Sequence, residues 1–150
     1  LLGCAAQVGS LVAGGHKELQ ESCKEAGRNL GLALHLQHDI NEIWNIKPEG
    51  SPIAIARKSY PVVYAIETAP VAVKREIGSL FATRVLDPRD LPRLVDLLDE
   101  VNAKKHTAHA VQSAQDTFVS KLAGIGIKQD LLAEFEALAS YLIGHGMTGD

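Results

Sequence analysis

The stretch from Gly27 to Glu42 reads GRNLGLALHLQHDINE and sets polar residues with metal-binding side chains inside an apolar helical pattern. His35, His38 and Glu42 follow one another at positions i, i+3 and i+7, which lie on one face of a helix. Asp39 stands three residues before Glu42 and shares that face. Because burying an unpaired carboxylate is costly, we expect this face to meet a cavity, a partner or solvent.

The helix that carries this stretch is predicted to run from Lys17 to about Trp44, a length of roughly 40 Å at 1.5 Å per residue. Gly27 and Gly31 are four residues apart on one face of it. A glycine in a helix interior costs up to about 1 kcal/mol, so close packing against a neighbouring helix is the expected reason for the pair.

The rest of the chain also predicts helices and almost no strand. A helix over Leu1–Ala13 is apolar on nearly all sides, which predicts burial by neighbours all round. Capping residues, prolines and glycines predict five further helices, namely Ser59–Thr68 with Ser59 as its cap, Val71–Thr83, Asp90–Val101, Lys105–Ala123 and Asp130–Gly144. We therefore expect a single all-α domain over residues 1–150.

Composition excludes several classes of function. The net charge of −3 gives no basic surface of the kind that binds nucleic acid. No segment reaches the ~18 uncharged apolar residues of a membrane span. Cys4 and Cys23 are too few for a disulfide scaffold and stand among apolar residues, so we expect two buried, reduced thiols. These features predict a soluble protein of a reducing compartment, the cytoplasm.

Three interpretations of the polar face remain open from the residues alone. The first is a solvated helix face. The second is a Mg²⁺ site, because Mg²⁺ takes oxygen ligands such as those of Asp39 and Glu42. The third is a site for a transition metal such as Zn²⁺ or Fe²⁺, which two histidines would favour. No further Cys or His is placed to complete a site of this third kind.

The stretch Gly27–Glu42 resembles the second aspartate-rich region of the trans-isoprenyl diphosphate synthases, the polyprenyl synthetase family, whose usual form is G-R-N-L-G-L-A-F-Q-I-x-D-D-x-x-D. The resemblance continues at Gly50-Ser51 and over RKSYPVVYA from Arg57 to Ala65, where the family has G-x-D-x-x-x-x-K-x-[ST]-L-P. It extends to Phe81, and Gly3–Gly14 is similar to the preceding family helix. The resemblance covers essentially all 150 residues.

The resemblance implies an isoprenoid-synthase-type helical bundle, of which this chain is the C-terminal half. We expect the N-terminal half, with the first aspartate-rich motif, to lie outside the chain. The implied activity is that of a transferase of isoprenoid biosynthesis, which condenses isopentenyl diphosphate with an allylic diphosphate after Mg²⁺-assisted ionisation. The implied partners are these two diphosphates and a second subunit, in a homodimer or a heterodimer.

The resemblance assigns His38, Asp39 and Glu42 to the metal-binding positions, with two departures from the family pattern. His38 replaces the first Asp of the motif, which contacts Mg²⁺ directly in the family. Glu42 replaces the last Asp and keeps its charge. Because an imidazole is a poor Mg²⁺ ligand, this metal site is expected to be weakened, rebuilt around Asp39 and Glu42, or lost.

Three other positions are assigned by the resemblance to substrate binding. His35 replaces a family Gln. Arg57 replaces the lysine that faces the phosphates and remains able to bind phosphate in a bidentate way. Lys58 stands beside it, and we assign both cations to catalysis as well. The Asp that follows Gly-Ser in the family is Pro52 in this chain.

Two alternatives to the prenyltransferase remain. One is a non-catalytic or regulatory subunit of a prenyl diphosphate synthase, which keeps the fold and the dimer interface without the metal chemistry. The other is a class I terpene cyclase on the same scaffold, where an altered second motif is better tolerated. An aspartate-rich helix preceding Leu1 in the complete protein would favour an enzyme.

Overall fold

The computed structural model of the chain describes residues 1–45, 58–82 and 86–145. Over these ranges the chain forms α-helices and one short 3-10 helix, and the described residues contain no β-strand. The prediction of an all-α protein is therefore confirmed. The elements are α1 (Leu2–Val12), α2 (Lys17–Trp44), α3 (Tyr60–Thr68), α4 (Val71–Leu80), the 3-10 helix (Pro88–Asp90), α5 (Leu91–Glu100), α6 (Ala103–Gly124) and α7 (Gln129–His145).

Most helix boundaries lie near the capping residues, prolines and glycines that predicted them. Helix α2 begins and ends at the predicted residues, and Pro61 lies in the first turn of α3. Helix α4 ends at Leu80, with Phe81 as its C-cap, so the predicted end at about Thr83 is wrong by three residues. Helix α7 begins at Gln129, so Asp130 lies in its first turn instead of capping it. An acidic side chain in that position still interacts favourably with the positive end of the helix dipole.

The described chain divides into two compact units. One comprises Leu1–Gln37 and the residues from Ala110 onwards, and the other comprises His38–His109. Helices α2 and α6 contribute residues to both units. The prediction of one domain over residues 1–150 stays a prediction.

The first unit has its core between α2, α6 and α7. Buried apolar side chains from these helices form it, with Phe118 and Phe135 in edge-to-face contact at 6.5 Å between ring centroids. Lys121 forms an ion pair with Glu25 and lowers the pKa of that carboxyl, chiefly through the side-chain hydrogen bond. Both groups of this pair are largely exposed, so the pair adds little to the free energy of unfolding.

The packing of α1 on α2 depends on two glycines. A Cβ atom at Gly3 would lie 2.8 Å from the carbonyl oxygen of Lys24, and a Cβ atom at Gly27 would lie 2.6 Å from that of Leu2. The close helix approach predicted for Gly27 is therefore confirmed. Gly31 lies near the same residue, but a Cβ atom there would meet the Leu2 side chain at 3.7 Å, an ordinary contact.

Two predictions for the first unit are wrong. Helix α1 is not enclosed by neighbours, because only Gly3 of this helix is buried in the described chain. Val8, Leu11 and Val12 are exposed. Cys4, expected to be a buried thiol, is also exposed, since it follows Gly3 and points away from the contact with α2.

The second unit packs α3, α4 and α5 around one core. Val62 and Ala65 from α3 meet Ile77 from α4 and the leucines Leu94, Leu97 and Leu98 of α5 in a cluster of buried side chains. Ile43, near the end of α2, joins the same cluster. This core therefore fixes the last turns of α2 against the start of α3.

Ion pairs reinforce the edges of the second unit. Arg93 of α5 donates two hydrogen bonds to Glu76 of α4, at 2.6 and 2.8 Å, and lowers the pKa of that carboxyl through the side-chain hydrogen bond. Asp87 caps the 3-10 helix by accepting from the Arg89 backbone N–H.

No helix among the described residues is long and apolar enough to cross a membrane.

Candidate metal and diphosphate site

The polar face of α2 brings three potential metal ligands together. One ligand atom each from His38, Asp39 and Glu42 lies within 4.8 Å of the other two. Asp39 is only 2% exposed, whereas the side chains of His38 and Glu42 are 43% and 19% exposed. The three side chains, called the donor cluster below, are therefore not spread over an outer solvent face. That they bind a metal ion stays a prediction.

Helical spacing accounts for the contact within the cluster. His38 and Glu42 are one turn apart, and His38 Nδ1 lies 3.5 Å from Glu42 Oε1. This distance permits an ion pair when the imidazole is protonated, which is the simplest structural role for the two residues. The same distance also suits two atoms that ligate one cation.

Asp39 has a structural role in addition to any role in binding. Its Oδ2 atom accepts a hydrogen bond of 2.9 Å from the backbone N–H of Tyr60, the first residue of α3. Ser59 occupies the predicted N-cap position, but its side chain makes no capping hydrogen bond. A carboxylate from α2 therefore satisfies a donor at the start of α3, and the negative charge lies near the positive end of that helix.

The donor cluster fits a divalent cation in size. With metal–ligand bonds of about 2.1 Å, adjacent ligands of an octahedral ion are about 3 Å apart and opposite ones about 4.2 Å apart. The separations in the cluster, none longer than 4.8 Å, lie close to this range. In chemistry the fit to Mg²⁺ is incomplete, because only Asp39 and Glu42 offer the oxygen ligands that Mg²⁺ prefers, and His38 offers a nitrogen.

Of the other predicted site residues, the structure describes some and not others. Lys58 is exposed and precedes α3 by two residues, so its backbone lies within about 7 Å of Tyr60. Arg57 and Pro52 lie outside the described residues. His35 is an exposed residue of the first unit. The substrate-binding and catalytic roles assigned to His35, Arg57 and Lys58 stay predictions.

Aromatic contacts around Tyr60 were not foreseen from the sequence. The His106 ring stacks on that of Tyr64 at 3.9 Å between centroids, and on that of Tyr60 at 5.9 Å. The Tyr60 hydroxyl lies 3.1 Å from His106 Nε2, within hydrogen-bond distance. His106 is exposed, but its ring is held by these contacts with α3.

Trp44 anchors the end of α2 next to the cluster. Its indole N–H donates a hydrogen bond of 2.9 Å to Asp99, and the Lys104 ammonium lies 5.6 Å from the ring centroid. The ring also packs on the core of the second unit. These contacts limit the movement of the turn that carries Glu42.

The chain is similar in sequence to curated proteins of one kind. It is 24% identical to the (2E,6E)-farnesyl diphosphate synthases of Mycobacterium tuberculosis and Mycobacterium bovis over 151 residues, which cover 95% of this chain and 42% of each relative. No family model matches the chain. The chain thus spans less than half the length of these curated relatives.

Solved structures with the same fold carry similar descriptions. A polyprenyl synthetase from Streptomyces coelicolor A3(2) superposes with a TM-score of 0.79 and 20% identity, over 94% of this chain and 45% of the other. A geranylgeranyl pyrophosphate synthase gives a TM-score of 0.81 and 21% identity, over 95% and 46%. The predicted isoprenoid-synthase-type helical fold is therefore confirmed.

Proposed function

We propose that this chain, which resembles part of a trans-isoprenyl diphosphate synthase in both sequence and fold, forms one wall of a prenyltransferase site. The reaction would be the condensation of isopentenyl diphosphate with an allylic diphosphate. The observation that carries the proposal is the donor cluster, with its ligand atoms within 4.8 Å of one another at the start of α3. The similarity to farnesyl diphosphate synthases supports the choice of substrates.

In this reaction the bond between the allylic carbon and the diphosphate oxygen breaks, and its electron pair leaves with the diphosphate. The double bond of isopentenyl diphosphate attacks the allylic cation, and the product then loses a proton. A bound divalent cation, Mg²⁺ by resemblance to the family, would stabilise the charge of the leaving diphosphate. The task of the protein is therefore to hold the diphosphate and to concentrate positive charge around it.

The residues of the second unit can divide this task. Asp39 and Glu42 would hold the cation through oxygen atoms. Lys58 would add a fixed positive charge close to the start of α3, and Arg57 would bind a phosphate in a bidentate way. The aromatic rings of Tyr60 and Tyr64, which stack with His106, lie on the same helix.

A second subunit is part of the proposal, and the exposed side of α1 supports it. Leu2, Val8, Leu11 and Val12 are all exposed on this helix in the described chain. Several exposed apolar side chains on one short helix are typical of a contact with another protein surface. The native mass of the protein, measured by light scattering, tests the assignment as a homodimer or a heterodimer.

A non-catalytic subunit is the second candidate, and His38 is the observation that favours it. The imidazole removes a negative charge from the position at which the family has its first aspartate. In addition, one oxygen of Asp39 is already bonded to the Tyr60 N–H. If these residues only stabilise the fold, the protein binds no diphosphate even when divalent cations are present. A class I terpene cyclase would instead bind the allylic diphosphate and release a cyclic product without isopentenyl diphosphate.

Binding of inorganic pyrophosphate with Mg²⁺ or Mn²⁺ tests the proposal directly. We expect these ligands together to raise the melting temperature, and Lys58→Gln to reduce the shift. The matched control is Lys105→Gln, which removes an exposed lysine from α6 in the same unit. Equal shifts in both variants would contradict the assignment of Lys58. No shift in the unmodified protein would favour the non-catalytic subunit.

A further inference from the structure

The donor cluster differs from a Mg²⁺ site in one donor out of three. Mg²⁺ is bound through oxygen and keeps several waters, and it is not a cation for which imidazole is a suitable ligand. Imidazole instead suits transition-metal dications such as Fe²⁺ and Zn²⁺, while carboxylates bind these ions as well as Mn²⁺. A site with one nitrogen and two oxygen donors is therefore better suited to a transition-metal dication than to Mg²⁺.

The placement of His38 makes its nitrogen available to such an ion. Nδ1 of His38 points to Glu42, with 3.5 Å between Nδ1 and Oε1. Adjacent ligands of a tetrahedral Zn²⁺ are about 3.4 Å apart for bonds of about 2.1 Å, and those of an octahedral ion are about 3 Å apart. The imidazole and the carboxylate are therefore already close to the spacing of two ligands of one ion.

The surroundings hold the cluster in this arrangement without needing the metal. Asp39 is fixed by the Tyr60 N–H, and the turn that carries Glu42 is fixed by the contacts of Trp44. The ligands are thus positioned by the fold, which reduces the cost of ordering them when an ion binds.

We propose that the donor cluster binds first-row transition-metal dications, Mn²⁺ among them, in preference to Mg²⁺, and that His38 sets this preference. The proposal rests on the proposed function for the location of the site, but it does not require diphosphate binding or turnover. It concerns the cation itself, which is measured in the absence of any substrate.

Mn²⁺ is the probe, because its free form is counted by electron paramagnetic resonance and Mg²⁺ competes for the same oxygen ligands. We expect the unmodified protein to bind one Mn²⁺ that Mg²⁺ displaces only in large excess. The spin-echo spectrum of the bound ion should show modulation from a coordinated imidazole nitrogen. That signal identifies His38 as a ligand, which a merely structural role would not produce.

His38→Asp tests the preference by exchanging the nitrogen for oxygen. The new carboxylate suits Mg²⁺ better than the imidazole that it replaces. Changes around a metal site commonly alter affinity roughly 10- to 100-fold, so the ratio of Mn²⁺ to Mg²⁺ affinity should fall by about tenfold or more. The nitrogen modulation should disappear. His109→Asp, a change at an exposed residue of α6, is the matched control and should leave both readouts unchanged. Circular dichroism verifies that each variant is folded.

Three results would overturn the proposal. They are the absence of bound Mn²⁺ in the unmodified protein, the absence of nitrogen modulation from the bound ion, and an unchanged affinity ratio in folded His38→Asp. The proposed function fails separately, when pyrophosphate does not bind in the presence of whichever cation the protein holds. If His38→Asp does not fold, the nitrogen modulation in the unmodified protein still decides whether His38 is a ligand.

Discussion

Replacing Gly27 by alanine is expected to loosen the packing of α1 on α2. The new Cβ atom would lie 2.6 Å from the carbonyl oxygen of Leu2 and 3.1 Å from the Cα atom of Gly3. Ordinary van der Waals contact begins near 3.4 Å, so the helices would have to separate by about 0.8 Å, the difference between the shortest distance and that limit. The obstructing atoms belong to the backbone and cannot rotate out of the way.

Two effects of opposite sign determine the free energy of unfolding of Gly27→Ala. Alanine gains up to about 1 kcal/mol over glycine in a helix interior. Overpacking typically costs about 1–3 kcal/mol. We therefore expect a net loss of about 1 kcal/mol, which lowers the melting temperature of a domain of this size by roughly 2–4 °C.

Gly9→Ala is the matched control in the same pair of helices. A Cβ atom at Gly9 meets nothing within 4 Å, so only the gain in helix propensity applies. We expect this variant to be more stable than the unmodified protein by up to about 1 kcal/mol. The two glycine-to-alanine changes should therefore shift stability in opposite directions.

Urea unfolding followed by circular dichroism measures both variants, and hydrogen exchange reports on α1 separately. Local detachment of α1 would appear as faster exchange of its amides in Gly27→Ala without a change in the global transition. If Gly27→Ala were at least as stable as Gly9→Ala and its α1 amides were equally protected, the close contact at Gly27 would not limit the packing of α1.

Four further predictions concern the donor cluster, the charges and the activity. In the complete active protein, Mg²⁺ with a diphosphate analogue should raise the melting temperature of His38→Asp more than that of the unmodified protein. An equal or smaller rise would exclude His38 from the metal site. Asp39→Ala should lower the free energy of unfolding in denaturant by about 1–3 kcal/mol, because it leaves the Tyr60 N–H without its acceptor. Asp39→Asn should lower it less, because the amide oxygen can still accept that hydrogen bond. The pKa of Asp87 is lowered from 3.8 to about 2, chiefly by the side-chain hydrogen bond from Arg89. Its ionised form therefore stabilises the fold above pH 3.8, and this contribution is lost as the pH falls through 2. In Arg89→Gln the NMR titration midpoint of Asp87 should rise towards 3.8, and an unchanged midpoint would exclude Arg89 as the cause. A polypeptide of residues 1–150 alone should not couple isopentenyl diphosphate to an allylic diphosphate in Mg²⁺, because the resemblance to the family implies that a further aspartate-rich motif is needed. Turnover of labelled substrate would disprove this.

Local sequence signals predicted the helices well. The bounds of α2, the proline in the first turn of α3 and the glycine contact at Gly27 depend on residues close together in sequence or on the steric demands of one residue type. Periodicity likewise predicted that the three donors share a face of α2, because one turn of helix fixes their relative positions.

Features that depend on distant residues were not predictable in this way. The capping of α3 by Asp39 joins residues 21 positions apart, and the stacking of His106 on Tyr64 joins α6 to α3. The exposure of α1 was also missed, because an apolar composition predicts that a helix is covered but does not say whether residues of the same chain cover it. Such contacts are set by tertiary packing.

Calorimetric titration of an allylic diphosphate analogue tests whether the donor cluster forms a metal-dependent diphosphate site. The titration is run with a divalent cation and again with a chelator, for the unmodified protein, for Glu42→Gln, and for the control Glu100→Gln, which removes an exposed carboxylate of α5. We expect binding that requires the cation, that survives in Glu100→Gln and that is lost or strongly weakened in Glu42→Gln. Equal affinities with cation and with chelator, or an unchanged affinity in Glu42→Gln, would show that the donor cluster is not such a site.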